Sequence, residues 1–206
     1  MKKLLLIGAL LCVLCSCGSG NSKKSNAHEG HEWVDLGLPS GLKWATCNVG
    51  ASTPGDYGDY FAWGETRTKS EYWSENCSSY GKDWGDIGGN SGRDAARANW
   101  GGSWRMPTEA EFQELVDNCT WTWTTQNGKN GCKVTGPNGN SIFLPVAGCR
   151  DGDELVDDGE YGYYWSSTPY GSSTDLAYFL SFDEGHQGVD WDFRDYGLSV
   201  RPVLDN

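Results

Sequence analysis

Signals of common enzyme classes and of membrane-spanning proteins are scarce in this sequence. It has only three histidines, and it lacks the Gly-x-Ser-x-Gly segment that presents a catalytic serine. A serine triad would have to use His186, the one histidine beyond the N-terminal region. The main apolar run, residues 4–14, is shorter than the roughly 20 apolar residues that cross a bilayer. Beyond residue 17 no C-x-x-C pair occurs, so the usual redox and zinc-ribbon signals are missing. We therefore expect no enzymatic activity and no metal site.

The apolar run is instead typical of a secretory signal. Lys2 and Lys3 precede it, which is the charge layout of such a signal. It ends in Leu14-Cys15-Ser16-Cys17, which resembles the lipobox of bacterial lipoproteins, whose cysteine is acylated and becomes the mature N-terminus. We predict a lipoprotein signal peptide over residues 1–16, lipidation of Cys17, and a lipid-anchored location at the bacterial envelope. The outer membrane is the expected site, on either its periplasmic or its surface side. The alternative is an ordinary cleaved signal with incidental cysteines.

After Cys17, residues 18–31 are rich in Gly, Ser, Asn and Lys and hold no apolar residue larger than Ala27. Such a segment cannot bury a core, so we predict a flexible tether that ends at residue 31. Residues 32–206 are enough for one folded domain. The formal charge is −12, and it becomes −14 once the two signal lysines are removed. Phosphate backbones would be repelled, so nucleic acid is not an expected partner.

The composition of the domain predicts short strands and long loops. It is rich in Trp, Tyr and Gly, which argues against a helical bundle. Thr108 and Glu111 form a capping-box pattern after Pro107 and predict a helix, and a shorter helix is expected over residues 94–98. Asn138-Gly139 predicts a two-residue hairpin turn, and residues 50–92 predict long ordered loops. The expected fold class is α+β, with short antiparallel strands and two helices.

Five cysteines remain after the lipidation position, an odd number: Cys47, Cys77, Cys119, Cys132 and Cys149. Because disulfides persist outside the cytoplasm, we expect up to two bridges, with one cysteine left over. The candidates are Cys47, Cys119, Cys132 and Cys149, and spacing does not fix their connectivity. A bridge from Cys132 to Cys149 would need a bend near Pro145, because the predicted hairpin turn places these two cysteines too far apart.

Five motifs in order carry a family resemblance: WVDLGLPSG at 33–41, WATCNVG at 44–50, WRMPT at 104–108, YWSS at 164–167 and SVRPV at 199–203. They resemble the major paralogous domain first described in Fibrobacter succinogenes and abundant in Bacteroidetes lipoproteins. The resemblance implies a C-type lectin-like fold, akin to that of formylglycine-generating enzyme. It also implies a relation to receptors that retroelements diversify near the C-terminus. The enzymes of this group hold copper with cysteines late in the domain, whereas this chain has none after Cys149.

If the chain resembles those receptors, its binding face lies between Asp183 and Tyr196. This segment mixes aromatic rings, carboxylates and hydrogen-bonding groups, a combination suited to recognition. We expect the ligand-binding residues to be Asp183, Glu184, His186, Gln187, Asp190, Trp191, Asp192, Phe193, Asp195 and Tyr196. The alternative is a structural loop in which Arg194 clamps a neighbouring turn.

An acidic stretch at residues 151–160 has carboxylates that could ligate calcium. Leu155 stands where the EF-hand pattern needs a third ligand, so a solvated acidic loop is the preferred interpretation and no cofactor is expected. Taken together, the sequence predicts a lipid-anchored recognition module with an unknown protein or glycan ligand. The alternatives are an envelope enzyme related to formylglycine-generating enzyme and a structural lipoprotein.

Overall fold

Residues 26–205 are described by a computed structural model. None of the helices in this part of the chain is long and apolar enough to cross a membrane. The predicted signal peptide, the lipidation position Cys17 and most of the tether lie outside the described residues.

The twelve strands are β1 (Ala27–His28), β2 (His31–Asp35), β3 (Lys43–Ala45), β4 (Thr120–Gln126), β5 (Lys129–Thr135), β6 (Ser141–Pro145), β7 (Cys149–Asp151), β8 (Glu154–Val156), β9 (Gly162–Pro169), β10 (Leu176–Phe182), β11 (Gln187–Phe193) and β12 (Val203–Leu204). The α-helices are α1 (Ala95–Trp100) and α2 (Glu109–Asn118), and a 3-10 turn covers Ser74–Asn76.

The strands form four small sheets, ordered β1-β2-β3-β12, β4-β5-β6, β7-β8 and β11-β10-β9. All the strand pairs are antiparallel. The expected α+β class with short antiparallel strands and two helices is confirmed for the described residues. Every element lies between residues 27 and 204, so a chain that begins at residue 18 keeps all of them.

The sheet β1-β2-β3-β12 joins the two ends of the domain. Trp44 of β3 lies opposite Val34 of β2 on one side and opposite Val203 of β12 on the other. The hairpin of β1 and β2 includes residues 27–31, which the sequence assigned to the tether, so ordered structure begins before residue 32. Two contacts hold it: the ring of His31 stacks on Trp100 at 3.7 Å between centroids, and Trp104 Nε1 donates to the carbonyl oxygen of His28 at 3.0 Å.

Both predicted helices form: α2 begins after Thr108 as the sequence predicts, and α1 begins one residue later than predicted. The Thr108 hydroxyl accepts from the Glu111 N–H at 3.2 Å, and Glu111 Oε2 accepts from the Thr108 N–H at 2.7 Å, which completes the capping box. Phe112 and Leu115 of α2 are buried. Helix α1 begins after Asp94, whose Oδ1 accepts from the Arg97 N–H at 3.0 Å.

The hairpin of β5 and β6 differs from the prediction by one residue. Gly136 N donates to the carbonyl of Asn140, so the loop has three residues rather than two. Pro137 has the fixed φ that a type I turn needs, and Gly139 takes a positive φ of 84°. As a result Cys132 pairs with Leu144, and Gly131 takes the predicted place opposite Pro145. The amides of Asn138 and Asn140 both donate to the Asp35 carbonyl, which docks this loop on the end of β2.

The expected disulfides are not formed. All five cysteines of the described residues are free thiols. Cys77 and Cys132 are buried, and Cys47, Cys119 and Cys149 are half-buried. Spacing alone could not reveal this, because packing rather than sequence distance decides whether two sulfur atoms meet.

The sheet β11-β10-β9 separates two hydrophobic cores. Trp165 and Phe179 face the first core, while Tyr164, Leu180 and Phe182 face the second. Each large apolar side chain buried in this way contributes roughly 2 kcal/mol of transfer free energy. Both faces of β9 and β10 therefore pack against a core, and β10 in turn fixes the position of the neighbouring edge strand β11.

Candidate functional site

The predicted ligand-binding residues lie on the hairpin of β10 and β11. At its tip, Asp183 Oδ1 accepts from the N–H groups of Gly185 and His186, at 2.6 and 2.8 Å. Asp183 therefore shapes the turn. Glu184, His186 and Gln187 are exposed around it. The remaining predicted residues follow along β11 and just beyond its end.

Strand geometry divides the central residues of the prediction between two faces. Asp190 lies opposite Phe179 and Asp192 opposite Ala177, so these two carboxylates share one face of the sheet. Trp191, opposite Tyr178, lies on the other face. Consecutive residues of a strand point to opposite sides. The structure thus places Asp190 and Asp192 in one surface and Trp191 and Phe193 in another.

The carboxylates of Asp190 and Asp192 border a cleft of about 370 Å³ beneath the hairpin of β7 and β8. We call this the acidic cleft and define it by Asp151, Asp157, Asp190, Asp192, Tyr163 and Tyr196. None of the residues that line it is a lysine or an arginine. Its negative charge is therefore uncompensated within its own walls.

The electrostatics of the acidic cleft reflect this crowding. Burial, and then the charges of Asp190, Asp195 and Asp151, raise the pKa of Asp192. The Tyr163 hydroxyl donates to Asp157 Oδ2 at 3.1 Å, and burial followed by this carboxylate raises the pKa of Tyr163.

The same cleft contains Cys149. Burial, and then the neighbouring aspartates, raise the pKa of this thiol to about 12. A thiol with this pKa stays protonated near neutral pH. Cys149 is therefore not an activated nucleophile.

The opposite face of β11 presents aromatic rings. We call it the aromatic face and define it by Tyr170, Tyr178, Trp191 and Phe193. The Trp191 side chain is 46% exposed, with its ring 4.9 Å from that of Tyr170, and Tyr170 in turn packs edge-on against Tyr178 at 5.2 Å. Phe193 is also 46% exposed. Its ring stacks beside Tyr80 at 6.5 Å. Exposed rings held by other rings are rigid contact surfaces.

No other strand of residues 26–205 pairs with the outer edge of β11. Because Arg194 N donates to the Asp175 carbonyl, the alternation of an antiparallel ladder turns the N–H groups of Trp191 and Phe193 away from β10. The preceding carboxylates cover them. Asp190 Oδ1 accepts from the Trp191 N–H at 2.9 Å, and Asp192 Oδ1 accepts from the Phe193 N–H at 2.7 Å.

The residues beyond β11 have structural surroundings. Arg194 is buried and donates to the carbonyls of Leu176, Ser173 and Lys82 at 2.9–3.1 Å, with its guanidinium 4.2 Å from the centroid of the Trp63 ring. It clamps the loop before β10, as the alternative interpretation of this segment proposed. Asp195 is half-buried, and burial raises its pKa. Tyr196 lines the acidic cleft.

Several members of these surfaces carry no signal in the sequence. Asp151 and Asp157 belong to the acidic stretch interpreted as a solvated loop, and the fold brings them to Asp190 and Asp192. Tyr170 and Tyr178 were not singled out either. Only the register of β10 and β11 shows that Tyr178 lies beside Trp191. Among the described residues no group of three or more His, Cys, Asp or Glu side chains is arranged to hold a metal ion.

These features define a mostly β domain with an acidic cleft and an aromatic face on either side of one edge strand. Residues 38–204 match the family model described as the Lcl C-terminal domain, and the chain belongs to this family. No curated protein and no solved structure matches the chain.

Proposed function

We propose that this chain is a non-enzymatic recognition module of the bacterial envelope that binds a protein or glycan ligand through β11. The observation that carries the proposal is the pairing of two exposed rings, Trp191 and Phe193, with two carboxylates, Asp190 and Asp192, on opposite faces of one strand. Rigid aromatic rings offer large contact area at low entropic cost, and residues of this kind dominate the energy of binding interfaces.

The charge of the surface limits the ligand. No lysine or arginine of the described residues lines the acidic cleft, and the formal charge of the whole chain is −12. Phosphorylated, sulfated or otherwise anionic ligands would meet repulsion. A neutral glycan would use the aromatic face alone, whereas a basic protein segment would use both faces. The combination of the two faces therefore favours a protein ligand.

A non-enzymatic role is supported by two features of the site. The raised pKa of Cys149 leaves the cleft without an activated thiol. His186 is exposed at the hairpin tip and does not line the acidic cleft. Neither an activated thiol nor a histidine therefore accompanies the tyrosines and aspartates of the cleft.

The proposal includes a C-type lectin-like fold of the major paralogous type. The pairing of β2, β3 and β12, which joins the two ends of the domain, supports it. So does the burial of Val200 and Arg201 in the last motif. Diversification by a retroelement is supported by the exposure of Gln187, Asp190, Trp191 and Phe193 in β11, where substitutions would cost little stability. A reverse transcriptase gene beside an altered copy of the 3′ end would support diversification, and its absence would indicate a fixed receptor.

The envelope location rests on the lipobox-like segment that ends in Cys17. We expect labelled fatty acid to be incorporated into the wild-type chain and lost in Cys17→Ala. Proteolysis of intact cells distinguishes the two sides of the outer membrane: a surface-facing domain is cleaved, whereas a periplasmic one is protected until the cells are opened.

Binding of the chain from residue 18 to a panel of glycans and envelope proteins tests the function. Trp191→Ala combined with Asp190→Ala should weaken any specific binding by roughly tenfold or more, since each residue would lie in the interface. The matched control combines Trp73→Ala with Asp56→Ala. Trp73 is 45% exposed but lies outside both surfaces, and Asp56 is an exposed aspartate. Equal loss in both double variants, or no loss in the first, would contradict the proposed site.

A further inference from the structure

We infer, resting on the proposed recognition function, that β11 accepts an extended peptide as a further antiparallel strand, and that the peptide alternates Lys or Arg with apolar residues. The inference comes from the unpaired edge of β11, the two carboxylates that cover it and the different chemistry of its two faces.

The backbone of β11 has the groups that such a strand needs. Trp191 and Phe193 turn their N–H groups away from β10, and in an antiparallel ladder their carbonyls point the same way. A peptide residue opposite Trp191 would exchange both bonds with it. Strand addition to an exposed sheet edge is a recurring mode of peptide recognition, in which the backbone supplies affinity and alternate side chains supply specificity.

The carboxylates that cover the edge make it selective. A docking strand has to take the N–H groups of Trp191 and Phe193 away from Asp190 and Asp192. Two displaced carboxylates without new partners would offset the backbone bonds gained, because hydrogen bonds to charged groups are roughly twice as strong as neutral ones. A basic side chain on the incoming strand provides the new partner. Uncharged strands are thus disfavoured, which also protects the edge from pairing with other chains.

Strand geometry places the basic residues in the acidic cleft. Residues directly opposite each other on neighbouring strands share a face. Peptide residues opposite Asp190 and Asp192 would therefore lie on the side of Asp151 and Asp157, where no lysine or arginine of residues 26–205 lines the wall. The peptide residues between them would lie on the aromatic face beside Trp191 and Phe193, which suits apolar side chains.

The test uses the chain from residue 18 and the peptide Lys-Val-Lys-Val-Lys-Val-Lys, with binding measured by calorimetry at low ionic strength. In the inferred register each valine exchanges backbone bonds with β11, whereas each lysine N–H points away. N-methylation of the valines should therefore weaken binding by roughly tenfold or more. N-methylation of the lysines should leave it nearly unchanged. A peptide with Glu in place of Lys should not bind.

Protein variants test the role of charge. Asp190→Asn with Asp192→Asn keeps an oxygen that can accept from each N–H but removes both charges, and it should weaken binding roughly tenfold. Asp56→Asn with Asp117→Asn removes two exposed charges elsewhere and should bind the peptide as the unmodified chain does. Amide hydrogen exchange at Trp191 and Phe193 should slow in the complex.

Three results would overturn strand addition: no binding of the lysine peptide, equal binding of the valine-methylated peptide, or equal binding of the glutamate peptide. If the peptides fail while a ligand from the panel still depends on Trp191, only strand addition is overturned and the recognition function stands. If neither a peptide nor any panel ligand binds in a manner that depends on Trp191 or Asp190, both are overturned.

Discussion

Arg201 donates from Nε to Oδ1 of Asn48 at 2.9 Å, although 153 residues separate the two in the chain. The same guanidinium donates to the carbonyls of Ala45 and Phe143, each at 2.9 Å. Arg201 and Asn48 are both fully buried. A single side chain from the last motif therefore ties the segment after β3 to β6 and to the C-terminal strand, and it does so with neutral acceptors alone.

Arg201→Met should destabilise the domain strongly. It would remove the donors of three buried acceptors, and each unpaired buried group costs about 1–3 kcal/mol. We expect the free energy of unfolding to fall by about 3 kcal/mol or more, measured by urea denaturation of the chain from residue 18. Arg67→Met, at an exposed position, should change it by less than about 0.5 kcal/mol. Equal stability of the two variants would show that the buried network contributes little.

The docking of the β5–β6 loop on β2 predicts a contrast between two glycines of the same loop. A Cβ at Gly136 would overlap the carbonyl oxygen and the Cβ of Leu36, a buried residue that directly follows β2. A Cβ at Gly139 would meet nothing within 4 Å, so its only cost is the positive φ, about 1 kcal/mol. Gly136→Ala should therefore lower the melting temperature clearly more than Gly139→Ala. The reverse order would contradict the docked position of the loop.

The free cysteines predict the outcome of a thiol titration. Unfolded without reductant, the chain from residue 18 should react with a thiol reagent at five positions, because Cys47, Cys77, Cys119, Cys132 and Cys149 are all unbridged. In the folded chain Cys119 and Cys132 should react slowly, since burial raises the pKa of each thiol to about 11. Three reactive thiols in the unfolded chain would indicate one disulfide, and one reactive thiol would indicate two disulfides.

Local patterns in the sequence were enough to predict helix α2 and the fold class. The capping box of Thr108 and Glu111 involves residues only three apart, so the sequence itself shows the motif that begins the helix. The hairpin loop at Pro137 was predicted with an error of one residue. Asn-Gly favours a two-residue turn, but here a type I turn over residues 136–139 has Pro137 as its second residue, and Gly139 takes the positive φ that completes a three-residue loop.

The candidate site could be predicted only as a segment. The aromatic and acidic residues of 183–196 pointed to recognition, yet a run of letters does not show that Asp192 and Trp191 face opposite ways until the segment is known to be a strand. The contribution of Asp151 and Asp157 to the acidic cleft depends on the contact between two hairpins. Contacts between distant segments leave no periodic signal in a single sequence.

The raised pKa of Asp192 predicts a dependence of stability on pH. The folded state binds this proton more tightly than the unfolded state does, because burial and the neighbouring carboxylates disfavour the charged form. The ionised group therefore destabilises the fold at neutral pH, and this penalty is relieved as the pH falls through the folded pKa towards the ordinary value of 3.8. Asp192→Asn removes the charge but keeps an oxygen for the Phe193 N–H. Since the group is partly solvated, we expect a gain of about 0.5 kcal/mol at neutral pH, measured by denaturant unfolding. The gain should shrink on acidification and vanish below the ordinary pKa value, where Asp192 is neutral in both states.

Asp56→Asn, which removes an exposed charge and keeps an acceptor for the Thr53 N–H, serves as the control and should give no such gain. A variant less stable than the parent at neutral pH, or a gain that persists unchanged in acid, would mean that burial and like-charge repulsion of the ionised Asp192 do not destabilise the fold.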